Sequence, residues 1–248
     1  MPDFDILVAA PHPDDAELCC GGLLLKARNA GLRCAVVDLT QGEMGTRGTV
    51  KTRREEAAAA SRLLKLDARE NLKLPDGHLE DNKTLRSALV RALRKYRPRL
   101  FLIPHWEDQH PDHAAVGQAG LYAAWLCGAP RYDARSARGV TSAQQKPYRP
   151  PHVLHYNNRY GIQADIVIDI SEVMEQKLEL VTCYKTQFGP GPARSGPRTR
   201  LSDEGFFDFL KGMHAFYGYQ AGVKYGEAYC TKSPLRLDDL SILCSKGR

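Results

Sequence analysis

Asp5-Ile6-Leu7-Val8-Ala9-Ala10-Pro11-His12-Pro13-Asp14-Asp15 sets a short apolar run directly against a turn that carries one imidazole and two carboxylates. Leu100-Phe101-Leu102-Ile103-Pro104 repeats the arrangement and is followed shortly by His110-Pro111-Asp112-His113. A continuous apolar run of this length, bounded by proline and polar residues, reads as a strand buried on both faces, as in parallel sheets. Ile6–Ala10 and Leu100–Ile103 are read as strands one and four. The chain around them alternates in the same way. Glu17–Asn29 has a helical pattern stopped by Gly31. Cys34–Leu39 is a second strand and Asn71–Leu74 a short third one. Thr52 is placed to cap a helix from Arg53 to about Lys65, with Glu55 at capping-box spacing. Thr84–Tyr96 carries Leu85, Leu89 and Leu93 on one face, and Ala114–Leu126 is again helical. Further on, Val153–Tyr156 and Asp165–Ile170 are strand candidates, Ser171 caps a helix to about Tyr184, and Asp203–Gly218 is a helix. Alternating strand and helix imply an α/β fold with a mostly parallel sheet and helices on both faces. An order of 3-2-1-4-5 would set strands one and four side by side. Ligands in such folds gather beyond the carboxyl ends of the strands, where the order reverses. The two His/Asp turns would then face each other there.

At 248 residues, with 43% hydrophobic and 26% charged content, the chain suits one soluble domain spanning 1–248. No apolar stretch is long enough for a membrane span. The acidic start Met1-Pro2-Asp3-Phe4-Asp5 lacks the basic region of a secretory signal, which makes a cytoplasmic location the expectation. The seven cysteines lack CxxC spacing and sit mostly in apolar runs, as reduced buried thiols do. The net charge of +6 is spread without an aromatic-interleaved basic patch, which argues against nucleic acid and for a small-molecule partner. Ala129–Pro151, rich in Pro, Ser and Arg, and Gly189–Arg200, with three prolines and three glycines, read as surface excursions, the second as a mobile loop or lid.

The two turns together offer a metal site. Hydrolytic zinc takes three protein ligands and leaves a position open for water, whose pKa it lowers towards about 7. The first turn supplies His12 and one of Asp14 or Asp15; the second supplies His113 or His110. A carboxylate left outside the ligand set can accept a proton from water, and a free imidazole can stabilise an oxyanion or protonate a leaving group. Asp112 is placed to orient His110 and keep it cationic. Each turn alone also reads as an aspartate-capped helix start. The same ligands suit ferrous iron, so an oxygenase or a phosphoesterase is the alternative chemistry. A non-catalytic binding protein is the alternative class. The Gly-rich loop Thr40–Thr49 follows strand two on the same sheet edge. Near it Arg47 and Arg53 are candidate substrate cations, while Lys51 and Arg54 read as solvated charges. Asp76, in Pro75-Asp76-Gly77-His78, is a candidate for sugar hydroxyls.

Several segments are shared with a known family: Ala10–Asp15, Thr40–Thr49, Thr52-Arg53-x-Glu55-Glu56, Leu74–Gly77, His110–His113, Tyr184–Phe188 and Tyr225–Tyr229. On these the chain resembles the LmbE-like (PIG-L) zinc-dependent N-acetylglucosaminyl deacetylases over nearly its whole length. Gly48–Arg53 and the late segments are most similar to the bacillithiol-biosynthesis subgroup, which acts on N-acetylglucosaminyl-malate. The resemblance implies a Rossmann-like three-layer fold and often a homo-oligomer, including hexamers. It implies Zn2+ on His12, Asp15 and His113, with Asp14 as general base. By it His110 is the electrophilic or acid partner, Asp112 its orienting carboxylate, and Arg53 a sugar ligand. One departure is Gln109, where that subgroup often carries arginine.

Overall fold

The computed structural model describes residues 3–132, 146–157, 161–188 and 197–235. The elements run β1 (Phe4–Ala10), α1 (Asp15–Asn29), β2 (Cys34–Thr40), α2 (Val50–Leu64), β3 (Ala68–Leu74), α3 (Lys83–Tyr96), β4 (Pro98–Pro104) and α4 (Pro111–Leu126). They continue with β5 (His152–Tyr156), β6 (Ile166–Asp169), α5 (Met174–Thr182), α6 (Phe206–Gln220) and β7 (Gly226–Cys230). The seven strands form one sheet in the order β3-β2-β1-β4-β5-β7-β6. β1 to β5 are parallel, and β7 pairs antiparallel with both β5 and β6. The expected 3-2-1-4-5 order is present, extended at one edge.

The sheet is packed on both sides. On one, Val8, Val36 and Leu102 meet α1, α2, α5 and α6 through Leu24, Leu64, Leu180 and Met213. On the other, Leu7, Val37 and Phe101 meet α3 and α4 through Leu89, Leu93 and Ala119. This explains why β1 and β4 read as unbroken apolar runs: both faces of the central strands are covered.

Three local expectations differ from the structure. The N-cap of α2 is Thr49, whose hydroxyl accepts the Thr52 N–H at 3.2 Å, while Thr52 Oγ1 accepts the Thr49 N–H at 2.8 Å. Thr52 is thus the third helical residue of the box rather than its cap, and Glu55 has no part in it. Ser171 opens a short 3-10 turn before α5. β7 carries no apolar run to announce it, because Gly226 and Glu227 open it. Of the two surface excursions, residues 133–145 and 189–196 lie outside the described residues, so the lid reading falls largely there.

Glu227 explains how so polar a strand is buried. Its carboxylate accepts the Lys177 ammonium at 2.5 Å, the backbone N–H groups of Gly22 and Leu23 at 2.7 Å each, and the Tyr229 hydroxyl at 2.9 Å. Lys177 and Glu227 are both fully buried. Burial works against the charged carboxylate, and the adjacent ammonium more than offsets it, holding the group below the usual carboxylate range. The pair thereby fixes α1, which carries the first His/Asp turn, to β7 and α5. Removing one partner leaves a buried charge uncompensated. Lys177→Met is therefore expected to lower unfolding stability by about 3–5 kcal/mol; an unchanged denaturant midpoint would contradict that account.

Candidate metal centre and active site

β1 and β4 are adjacent and parallel, with Val8 opposite Leu102, so their carboxyl ends deliver the two turns to one place. In the first turn the Asp15 carboxylate accepts the His12 backbone N–H at 2.8 Å. Asp14 then enters α1 with φ 126, far from the region that a non-glycine residue ordinarily occupies. Such strain persists only where neighbours over-determine it. Here Arg53 does so: its Nη1 lies 3.0 Å from Asp14 Oδ2, and its Nη2 donates to the Pro13 carbonyl. The Asp14 side chain makes no capping hydrogen bond. The aspartate-capped helix start is therefore not what holds this turn.

Asp15 is the hub of the cluster. Its Oδ2 lies 3.3 Å from His12 Nδ1 and 3.2 Å from His113 Nε2. The other nitrogen of each ring faces further carboxylates. His12 Nε2 is 3.0 Å from Asp76 Oδ1 and 3.2 Å from Asp112 Oδ2, and His113 Nδ1 is 3.4 Å from Asp108 Oδ2. Burial opposes charge on His12, but hydrogen bonds to Asp112, Asp15 and Asp76 outweigh it and raise its pKa well above 6.5. His113 is likewise pushed up to about 9, because Asp15 and Asp108 overcome its burial. Asp15 is buried too, yet the two imidazoles hold it well below the carboxylate range. Two ring nitrogens thus converge on one carboxylate oxygen in a buried pocket of negative charge. A divalent cation fits where the two nitrogens meet the carboxylate, in place of protons. The backing of each ring by a carboxylate is the usual second layer of a histidine-ligated metal. His12, Asp15 and His113 bring three donor atoms within 4.8 Å of one another; so do His12, His110 and Asp112.

Asp14 lies outside the Asp15 hub. Burial pushes its carboxyl up to about 7 against the pull of Arg53. His110 caps α4, its Nδ1 accepting the Asp112 backbone N–H at 3.2 Å. A neutral ring that accepts at Nδ1 carries its proton on Nε2, which becomes the donor. Burial, followed by repulsion from His12 and His113, lowers the His110 pKa.

Several sequence expectations are corrected by this geometry. Asp112 orients His110 through its backbone N–H. Its carboxylate instead faces His12 and accepts the Gly77 and Leu79 N–H groups at 2.8 and 3.0 Å. The surroundings of His110 lower its pKa rather than raise it. Asp76 is engaged by His12 and by the Met44 N–H, 2.8 Å away, rather than standing free for sugar hydroxyls. Arg53 is buried on Asp14, and Arg47 is buried with its carbonyl accepting Gln187 Nε2 at 2.7 Å. Lys51 and Arg54 are exposed, as expected of solvated charges. Two residues escaped sequence reading. Asp108, behind His113, precedes the motif and differs in no way from a turn residue. Glu43 accepts the Asp76 N–H at 2.9 Å and ties the loop after β2 to the loop after β3.

Residues 7–124 match the family described as "PIG-L: GlcNAc-PI de-N-acetylase". The chain is 29% identical over 232 residues to the diacetylchitobiose deacetylase of Thermococcus kodakarensis, covering 90% of this chain and 80% of the relative. It is 26% identical to a probable N-acetyl-alpha-D-glucosaminyl L-malate deacetylase 2 of Bacillus subtilis, over 73% of this chain and 82% of the relative. Among solved structures, the conserved protein TT1542 of Thermus thermophilus superposes with a TM-score of 0.80 at 35% identity, covering 94% of this chain and 97% of that one. With the paired His/Asp turns at the centre of the sheet, these likenesses place the chain in the PIG-L (LmbE-like) family of deacetylases, metal-dependent enzymes that hydrolyse N-acetyl amide bonds.

Proposed function

We propose that this enzyme removes the acetyl group from an N-acetylglucosaminyl conjugate, with zinc held by His12, Asp15 and His113. The observation that carries this reading is the convergence of His12 Nδ1 and His113 Nε2 on the Asp15 carboxylate, with Asp14 beside it and outside the ligand set. Two nitrogens and one carboxylate oxygen form a hydrolytic zinc set. When bound, such an ion acidifies water and polarises a carbonyl.

The chain's own residues then divide the proton work. Asp14, whose carboxyl sits near 7, accepts a proton from the attacking water. Arg53 holds that carboxylate in place. The His110 Nε2–H donates a hydrogen bond to the oxygen on which negative charge develops. The proton held by Asp14 passes to the amide nitrogen as the C–N bond breaks. Water and amide are thus converted to acetate and a free amine. Asp76, Asp112 and Asp108 position the two histidines and do not touch the reacting atoms.

The malate conjugate is the substrate reading that the Bacillus subtilis relative favours. The loop arginines lend it little support. Arg53 is committed to Asp14, and Arg47 is buried.

Asp14→Asn should retain bound zinc and lose about 10²–10⁴-fold in turnover, measured as acetate release; near-normal turnover rules out Asp14 as the base. His113→Ala should fail to hold stoichiometric zinc by metal analysis of the purified, folded protein. Full zinc occupancy in that variant would remove His113 from the ligand set.

A further inference from the structure

A cleft of about 870 Å³ opens beside His110. One wall is a single stripe of α6, in which Phe206, Phe209, Leu210 and Met213 follow one another at helical spacing. Leu18 of α1 continues it; the Leu18 N–H donates to the Asp14 carbonyl at 2.9 Å, one helical turn from the proposed base. The Phe206 ring is stacked on Phe188 with centroids 5.1 Å apart, so the wall is backed by the core. Phe209, in contrast, is 45% exposed, a large apolar ring held open to solvent on the cleft.

We propose that this cleft is the aglycone subsite of the enzyme and that it takes an uncharged aglycone with an apolar face. The proposal rests on the deacetylase reading above and specifies its substrate. The volume lies in the range of roughly 300–1,000 Å³ that encloses a ligand of many atoms, far beyond the need of an acetyl group. The cleft is continuous with the chemistry, because Asp108, Gln109, His110 and Pro111 form its other rim.

Charge among the described lining residues does not favour an anionic occupant. Among the described residues, the lining side chains bring one guanidinium, Arg200, against two carboxylates, Asp108 and Asp203. Asp108 accepts the His110 N–H at 2.8 Å and faces His113; Asp203 accepts the Gly205 N–H at 2.9 Å. Gln109 on the rim is neutral. Arg47 and Arg53 are buried and are not among its described lining residues. A dicarboxylate such as malate would find one guanidinium among the described lining residues, Arg200, set beside two carboxylates and an apolar wall. An apolar group would be removed from water against Phe209 and Met213, which is favourable in proportion to the area covered.

The test compares acetate release by the zinc-loaded enzyme from the methyl, phenyl and malyl glycosides of N-acetylglucosamine. The phenyl glycoside should exceed the other two in kcat/KM by on the order of tenfold, chiefly through a lower KM. Phe209→Ala should bring the phenyl-to-methyl ratio close to one, and Phe209→Leu should keep most of it. A malyl preference, a ratio near one in the unaltered enzyme, or a ratio that survives Phe209→Ala overturns the subsite. Failure to release acetate from any of the three overturns the deacetylase reading itself, a result distinct from a flat preference.

Discussion

The parallel pairing of β1 with β4 is the constraint on which the rest of the structure depends. The two strands are about a hundred residues apart in sequence, yet Ile6, Leu7 and Val8 stand directly opposite Leu100, Phe101 and Leu102. That register delivers His12 and Asp15 from one turn and His113 from another to a shared point. The loops after β2 and β3 arrive at the same sheet edge and close over it. Met44 and Gly77 contribute the N–H groups that fix Asp76 and Asp112, and these in turn face His12. Four successive strand ends therefore build one centre. A small change in the register of β1 on β4 would separate its donors by several ångströms, since each residue advances a strand by about 3.3 Å.

The centre concentrates negative charge, and the fold supplies cations to balance it. Arg53 holds Asp14 in a backbone conformation that an isolated aspartate avoids. Behind it, Arg69 makes a two-pronged contact with Asp38 at 2.7 and 2.8 Å, and reaches Glu17 at 2.5 Å and the Tyr184 hydroxyl at 3.0 Å. Lys177 performs the same service for Glu227 under α1. These buried ions serve location more than stability, because an apolar replacement of both partners can be as stable. Their common effect is to anchor α1 at both ends of its buried face, and α1 begins at Asp15. The positioning of the reactive groups and the charge balance of the interior are thus the same set of contacts.

Much of this was legible in the residues. Apolar runs ending in His-Pro-Asp turns mark strands buried on both faces, and two of them imply neighbouring strands with a shared crevice. The ligand types were legible for the same reason: few structural roles require two such turns. What was not legible depends on distance in space. Whether the Asp112 carboxylate meets His110 or His12 is decided by the position of Gly77 and Leu79, which sequence spacing does not encode. Arg53 reads as a cation near a substrate loop until its burial on Asp14 is seen. β7 is hidden because a strand with a buried glutamate looks polar until Lys177 is placed beside it. The α6 stripe at Phe206–Met213 is an ordinary amphipathic pattern, and only the open ring of Phe209 separates it from core.

The central claim is that the metal sits between His12 Nδ1, Asp15 and His113 Nε2 rather than on the other side of the His12 ring, where His110 and Asp112 also converge. Anomalous diffraction at the zinc edge from crystals of the zinc-loaded protein distinguishes the two. The account predicts one peak about 2.0–2.2 Å from His12 Nδ1, Asp15 Oδ2 and His113 Nε2, with His12 Nε2 still facing Asp112. A peak bonded to His12 Nε2, His110 and Asp112 would contradict it, since His110 would then be a ligand and not the proposed hydrogen-bond donor.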